Sequence, residues 1–248
     1  MILSHVVHES DGFVPQNIKT EADFNNFIES IFPPSIAAEI EKSPLYSGYG
    51  LNGQRQRLID VARDAFFTGN ILQLFNAYKS TGKVYITEYA WPSAMFSKHA
   101  RDLITTFYHS DYDLKAFLKF MRFPKLEIPF IVRFVKAFAP RYQQYFVSHA
   151  ITGDPDELRW PSNDKYYTWN PAVLDSQGNM AQVAQSHTCF LTSCFTEITD
   201  QSVLTQARGN FWNDVAMALS GSGSSSGSSP SHLEAQVAWV APDIEEEL

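Results

Sequence analysis

I-L-S-H-V-V-H-E-S-D-G, residues 2–12, opens with an apolar run and ends on two acidic residues and a glycine. Its first seven residues read as a short, mostly buried β-strand. A second such run, K-V-Y-I-T-E-Y-A at 83–90, has the β-branched and aromatic character of a strand. Pro92 closes it, and S-K-H-A-R-D-L follows at 97–103, which places His99 in a loop just past the strand. Between and beyond these strands the sequence is helical, and helices between sparse strands mean α/β layering. Two strands so far apart cannot complete a doubly wound sheet. The strand count therefore implies that part of the sheet lies outside this chain.

Working outward, Thr20 is placed to cap a helix carrying Phe24, Phe27, Ile28 and Ile31 at helical spacing. Asp23, three positions on, makes a near capping box. Pro33-Pro34 ends that helix, and a short one covers 36–41. Asn52 is expected to cap the next, with Leu58, Val61, Ala62, Ala65 and Phe66 on one face. Gly69 should break or bend it, and Ile71, Leu74, Phe75 and Tyr78 continue the period to Gly82. Residues 107–139 are aromatic and locally basic. Pro140 is expected in the first turn of a further helix, whose apolar face carries Tyr142, Tyr145, Phe146 and His149. Gly153 and Pro155 stop it. A hairpin is expected around 169–174. From Ser220 the composition becomes S-G-S-G-S-S-S-G-S-S-P-S, a flexible linker before an acidic tail.

The bulk numbers narrow the class. The 248 residues are 44% hydrophobic and 19% charged, ordinary for a globular chain with a packed core. A net charge of −8 argues against a general nucleic-acid binder. No apolar run approaches the roughly 18 residues that span a bilayer, so no transmembrane segment is expected. The N-terminus has neither a basic leader nor a small-residue cleavage site, so no signal peptide is visible and the compartment is left open. Cys189 and Cys194 allow at most one local disulfide.

Several segments, in order, resemble the C-terminal half of type-B carboxylesterases, the family of fungal lipases and cholinesterases, and especially its fungal branch. V-V-H-E-S-D-G-F-V-P at 6–15 resembles the segment that bears the triad acid. A-R-D-A-F-F-T-G-N-I-L-Q-L-F-N-A-Y resembles the helix pair before the last core strand. The strand at 83–90 with K-H-A-R-D-L resembles the histidine loop. P-R-Y-Q-Q-Y-F-V-S-H-A-I-T-G-D-P-D, then R-W-P, resembles the family's late helix, and R-G-N-F-W its closing segment. The match spans residues 1–215. Ala100 stands where the family usually has glycine, and Gly69 and Asn210 where it often has cysteine. C-F-L-T-S-C-F has no family counterpart, and 180–200 is longer than the family needs.

The resemblance implies an incomplete α/β-hydrolase fold, helix-rich with few strands. Residues 1–215 would be the C-terminal part of a carboxylesterase domain and 216–248 a disordered linker and acidic tail. It implies hydrolysis of a small-molecule carboxylic ester through an acyl-serine, with no metal or organic cofactor. His99 would be the general base and Asp11 the acid that orients it. Glu9 is a rival two residues earlier, because alternation along a strand puts both on one face. The glycine after Asp11 favours Asp11. The nucleophile is absent: G-x-S-x-G occurs only at 223–227, where the strand-to-helix elbow has neither strand nor helix. The chain alone is expected to be inactive, its N-terminal half missing. The alternative is a non-catalytic binding or adhesion module on an esterase scaffold.

Two other patterns weigh less. H-x-x-H-E at 5–9 has i, i+3 spacing on a strand, so its rings point apart and no zinc site is expected. The basic aromatic stretch 114–136 is a candidate for a membrane or nucleic-acid surface. Its prolines at 124 and 129 favour solvent-facing cover over the core.

Overall fold

The computed structural model describes residues 1–90, 98–120, 123–158, 168–189, 192–197 and 204–222. It divides the expected single domain into two compact units, Met1–Glu9 with Ile71–Gln206, and Ser10–Asn70 with Ala207–Leu248.

The first unit is built on a four-stranded sheet. β1 (Ile2–Val6) and β2 (Tyr85–Tyr89) are the two strands legible in the sequence. They pair in parallel, Ile2 opposite Tyr85 and Val6 opposite Tyr89. Two further strands were not anticipated. β5 (Ala184–Cys189) lies parallel to β2 on its other side, and β6 (Thr192–Glu197) runs back antiparallel to β5. The segment that looked too long for the family is this hairpin. It escaped notice because its alternation of Gln, Ser, His and Thr is polar, which reads as loop.

The short hairpin expected at 169–174 lies further on. β3 (Val173–Leu174) pairs with β4 (Met180–Ala181), and Asp175 ties the turn by accepting from the backbone N–H of Gln177 and Asn179 at 2.9 and 2.8 Å. Trp169 is instead buried, stacked on Tyr145 at 4.7 Å between centroids.

Helices cover the sheet. α4 (Gly69–Tyr78) buries Ile71, Leu72 and Phe75 against Val84, Ile86 and Val183. Leu74 and Tyr78, expected on the buried face, are exposed. Next come α5 (Arg101–Thr106), α6 (Asp111–Phe120) and α7 (Ile128–Thr152). α7 corrects the reading of Pro140, which sits inside a 25-residue helix and not at a helix start. Its missing N–H costs one intrahelical bond. The ring faces solvent, while Val135, Phe138, Ala139 and Tyr142 are buried on both sides of it in one cluster. At about 1.5–3 kcal/mol per large buried apolar side chain, that burial outweighs the lost bond. Gly153, at φ 83°, ends the helix as expected.

In the second unit, α1 (Glu21–Ile31) starts with the full capping box: Asp23 N–H donates to Thr20 Oγ1 at 3.1 Å and Thr20 N–H to Asp23 Oδ2 at 2.8 Å. α2 (Pro34–Lys42) follows. α3 (Gln54–Arg63) is entered through Gly53 rather than capped by Asn52. Gly69 does not break the chain into two helices. A turn of π-helix, Asp64–Thr68, carries α3 into α4. A Cβ on Gly69 would lie 2.5 Å from the Asp64 carbonyl and 3.2 Å from the Trp212 side chain, so close approach, and not a turn, requires glycine. α8 (Gln206–Ser222) supplies that Trp212. It runs through the expected boundary at 215/216, and residues 223–248 lie outside the described ones.

Candidate functional site

β1 and β2 end side by side, and their parallel pairing resumes once beyond them, as a bridge between His8 and Lys98. The next residue on each chain is Glu9 and His99. His99 Nδ1 lies 2.7 Å from Glu9 Oε2. Backbone register thus brings the acid to the imidazole at the carboxyl ends of two parallel strands, where open α/β sheets place their ligands.

The carboxylate is fixed at its other oxygen, because the Val6 backbone N–H donates to Glu9 Oε1 at 2.7 Å. The Glu9 side chain is 7% exposed and that of His99 44%. A buried anion therefore holds one face of a ring that is open to solvent. In the tautomer with Nδ1 as the donor to Glu9, Nε2 is the unprotonated ring nitrogen.

Asp11, the acid expected from the sequence, is elsewhere. Its Oδ1 accepts from Arg55 Nη1 at 3.0 Å, and its carbonyl from Arg55 Nη2 at 3.0 Å. The alternation argument fails because the strand ends at Val6 and the chain turns between Ser10 and Phe13, closed by Phe13 N–H to the Ser10 carbonyl at 3.0 Å. Ser10 Oγ donates to the Ile59 carbonyl at 2.6 Å, which anchors the turn within the second unit. Residues 9 and 11 thus do not share a strand face. Asp11 as the partner of His99 is corrected to Glu9.

One residue near His99 was missed. Asp102, three residues after it, has its carboxyl held above the ordinary value of 3.8, first by burial and then by the Glu9 carboxylate; backbone amides and His99 oppose that rise. Its signal was a carboxylate in the first turn of a helix opening right after a candidate base. Ala100 caps α5 in the left-handed region, φ 63° and ψ 7°. An L-residue pays about 1–2 kcal/mol there, so a glycine would fit better. The departure noted in the sequence sits at the one position of this loop where glycine has a physical advantage.

His5 is buried in β1 with Nε2 4.0 Å from Glu88 Oε2. Among the described residues no group of three or more His, Cys, Asp or Glu is placed to hold an ion. No helix among them is long and apolar enough to cross a membrane. Cys189 and Cys194 occupy β5 and β6, with Cys194 opposite His187 in the register. Ser225, in the formal G-x-S-x-G, lies outside the described residues.

No family model matches the chain. It is similar to a secreted lipase of Arthroderma benhamiae, 32% identical over 164 residues, which is 64% of this chain and 27% of the lipase. The chain thus spans about a quarter of the curated relative it matches. Among solved structures, a PNB esterase aligns with 82% of this chain and 36% of its own, at 15% identity and a TM-score of 0.48.

Proposed function

We propose that Glu9 and His99 are the acid and the base of a serine-type hydrolase acting on carboxylic esters. The observation that carries the reading is the 2.7 Å contact between His99 Nδ1 and a buried Glu9 that is itself held by a backbone amide. The likeness to a secreted lipase supplies the class of substrate.

In this reading Glu9 keeps the Nδ1–H tautomer and orients the ring. Nε2 takes the proton of an attacking serine hydroxyl as its oxygen bonds to the ester carbonyl, then returns it to the leaving alcohol. Water repeats the cycle on the acyl-serine: His99 accepts its proton and gives it back to the serine, releasing the carboxylic acid. Glu9 stabilises the imidazolium and stays ionised throughout. No strand-to-helix serine elbow occurs among the described residues, so in this reading another part of the hydrolase supplies the nucleophile and the oxyanion donors. The chain by itself is predicted to hydrolyse aryl esters no faster than its His99→Ala variant.

The test is a graft. The segment matching the secreted lipase replaces the lipase's own, and hydrolysis of a p-nitrophenyl ester is followed. The graft should be active and lose at least about 10³-fold on His99→Ala. A folded, active graft indifferent to His99 would refute the assignment.

A further inference from the structure

α6 and α7 each bury one face in the same cluster: Leu114 and Leu118 from α6, Ile128, Val132 and Val135 from α7. Their opposite faces should then be polar. They are not. Tyr112 and Phe120 on α6 are 81% and 80% exposed, Leu126 in the turn before α7 is 87% exposed, and Phe130 on α7 is 66% exposed. Tyr112, Lys119 and Phe120 stand at i, i+7 and i+8, one stripe of α6. Phe130 and Arg133 stand at i and i+3 on α7.

The charge of this region is the reverse of the chain's. Residues 111–136, from the start of α6, hold six of the 19 Lys and Arg residues and three of the 27 Asp and Glu residues, Asp111, Asp113 and Glu127, in a chain of net charge −8. Lys115, Lys119, Lys125 and Arg133 are all exposed. Lys136 is engaged by Asp111 at 3.3 Å and adds less. The patch is anchored to the histidine loop, since Arg101, two residues beyond His99, stacks its guanidinium over Phe123 at 3.9 Å.

We infer that the exposed face of α6, the 123–127 turn and the start of α7 docks onto an anionic lipid surface. Rings interleaved with cations on an exposed helical face match a headgroup layer, where the apolar tips enter the acyl boundary and the cations meet lipid phosphates or carboxylates. Charge complementarity selects the occupant. An anionic surface repels an acidic chain as a whole and attracts this basic face, so it orients the molecule as well as holding it. The inference stands apart from the ester chemistry, because binding is read without turnover.

The experiment is co-sedimentation of the full chain with vesicles of phosphatidylcholine alone and of equimolar phosphatidylcholine and phosphatidylglycerol. Binding should be strong only to the anionic vesicles and weaken with salt. Combined Lys119→Glu, Lys125→Glu and Arg133→Glu should reduce partition at least about 100-fold, since each cation near such a surface is worth about fivefold. Combined Phe120→Ser and Phe130→Ser should reduce it at least about tenfold. All five positions are exposed, and unchanged circular dichroism verifies folding of each variant. Equal partition to both vesicle types, no binding to either, or wild-type binding by the charge-reversed variant would overturn the inference. So would concentration-dependent self-association that the Phe120→Ser and Phe130→Ser pair abolishes, because the face would then meet a second copy.

Discussion

Glu9 and Asp64 are both buried carboxylates, one in each unit, and their surroundings differ in one respect. Asp64 is fully enclosed. Its oxygens accept from Tyr46 Oη at 2.9 Å, Thr68 Oγ1 at 2.7 Å, Arg63 Nε at 3.1 Å and, in a close ion pair, Arg208. Trp212 Nε1 donates to Tyr46 Oη at 2.6 Å and completes the set. Burial, then the Asp64 charge, pushes the Tyr46 phenol far up, so it stays a donor. Everything there is satisfied, and nothing points outward. Glu9 has one backbone donor and one imidazole, and the imidazole faces solvent. A saturated network rigidifies a core; an anion behind a half-exposed ring orients that ring, which is what the proposed hydrolase reading requires of Glu9.

The comparison breaks most easily at Asp64. Asp64→Ala leaves Arg208 without its buried counter-ion and should cost about 3–5 kcal/mol of stability in urea titration. An effect below about 1 kcal/mol would mean that the network is not the keystone of the second unit. Glu9→Ala removes the acceptor of the Val6 amide and should cost about 1–3 kcal/mol, well under Asp64→Ala. Ala100→Gly relieves the left-handed backbone beside His99 and should raise stability by about 1 kcal/mol. A loss instead would show that the unfolded-state entropy of glycine dominates.

Asp102 gives the pH test. Its folded carboxyl is held above the ordinary 3.8, so the unfolded chain ionises first as pH rises. Its contribution to stability is complete below that value, falls as pH passes from the unfolded to the folded value, and stays lowered above both. Asp102→Asn should therefore flatten stability over that window and leave the protein more stable at neutral pH, measured as the midpoint of unfolding. A less stable variant at pH 7 would reverse the sign. Smallest is Asp11→Asn. The Arg55 pair is about a quarter exposed on each side, and its weakening should cost under about 1 kcal/mol.

The α/β layering, the parallel strands β1 and β2, the Thr20 capping box and the loop position of His99 were legible because each rests on a local pattern. The β5–β6 hairpin was not, because a strand of Gln, Ser, His and Thr acquires its place from its neighbours and not from its own apolar residues. Pro140 misled for a related reason: buried residues on both sides of a proline carry a helix through it, and only the tertiary structure shows that they are buried. The sequence narrowed the partner of His99 to Glu9 and Asp11 and favoured Asp11, whereas the structure sets Glu9 beside the ring. Choosing needed the turn at Ser10 and the His8–Lys98 bridge, both long-range or non-repetitive features.

The central claim is that Glu9, and not Asp11, holds the His99 ring. The most direct measurement is the long-range ¹H–¹⁵N spectrum of the His99 imidazole, which assigns the neutral tautomer. Wild type and Asp11→Asn should both show the proton on Nδ1, and Glu9→Ala should shift the population to the Nε2–H form preferred by a free imidazole. An Nδ1–H form that survives Glu9→Ala and disappears in Asp11→Asn would contradict the account.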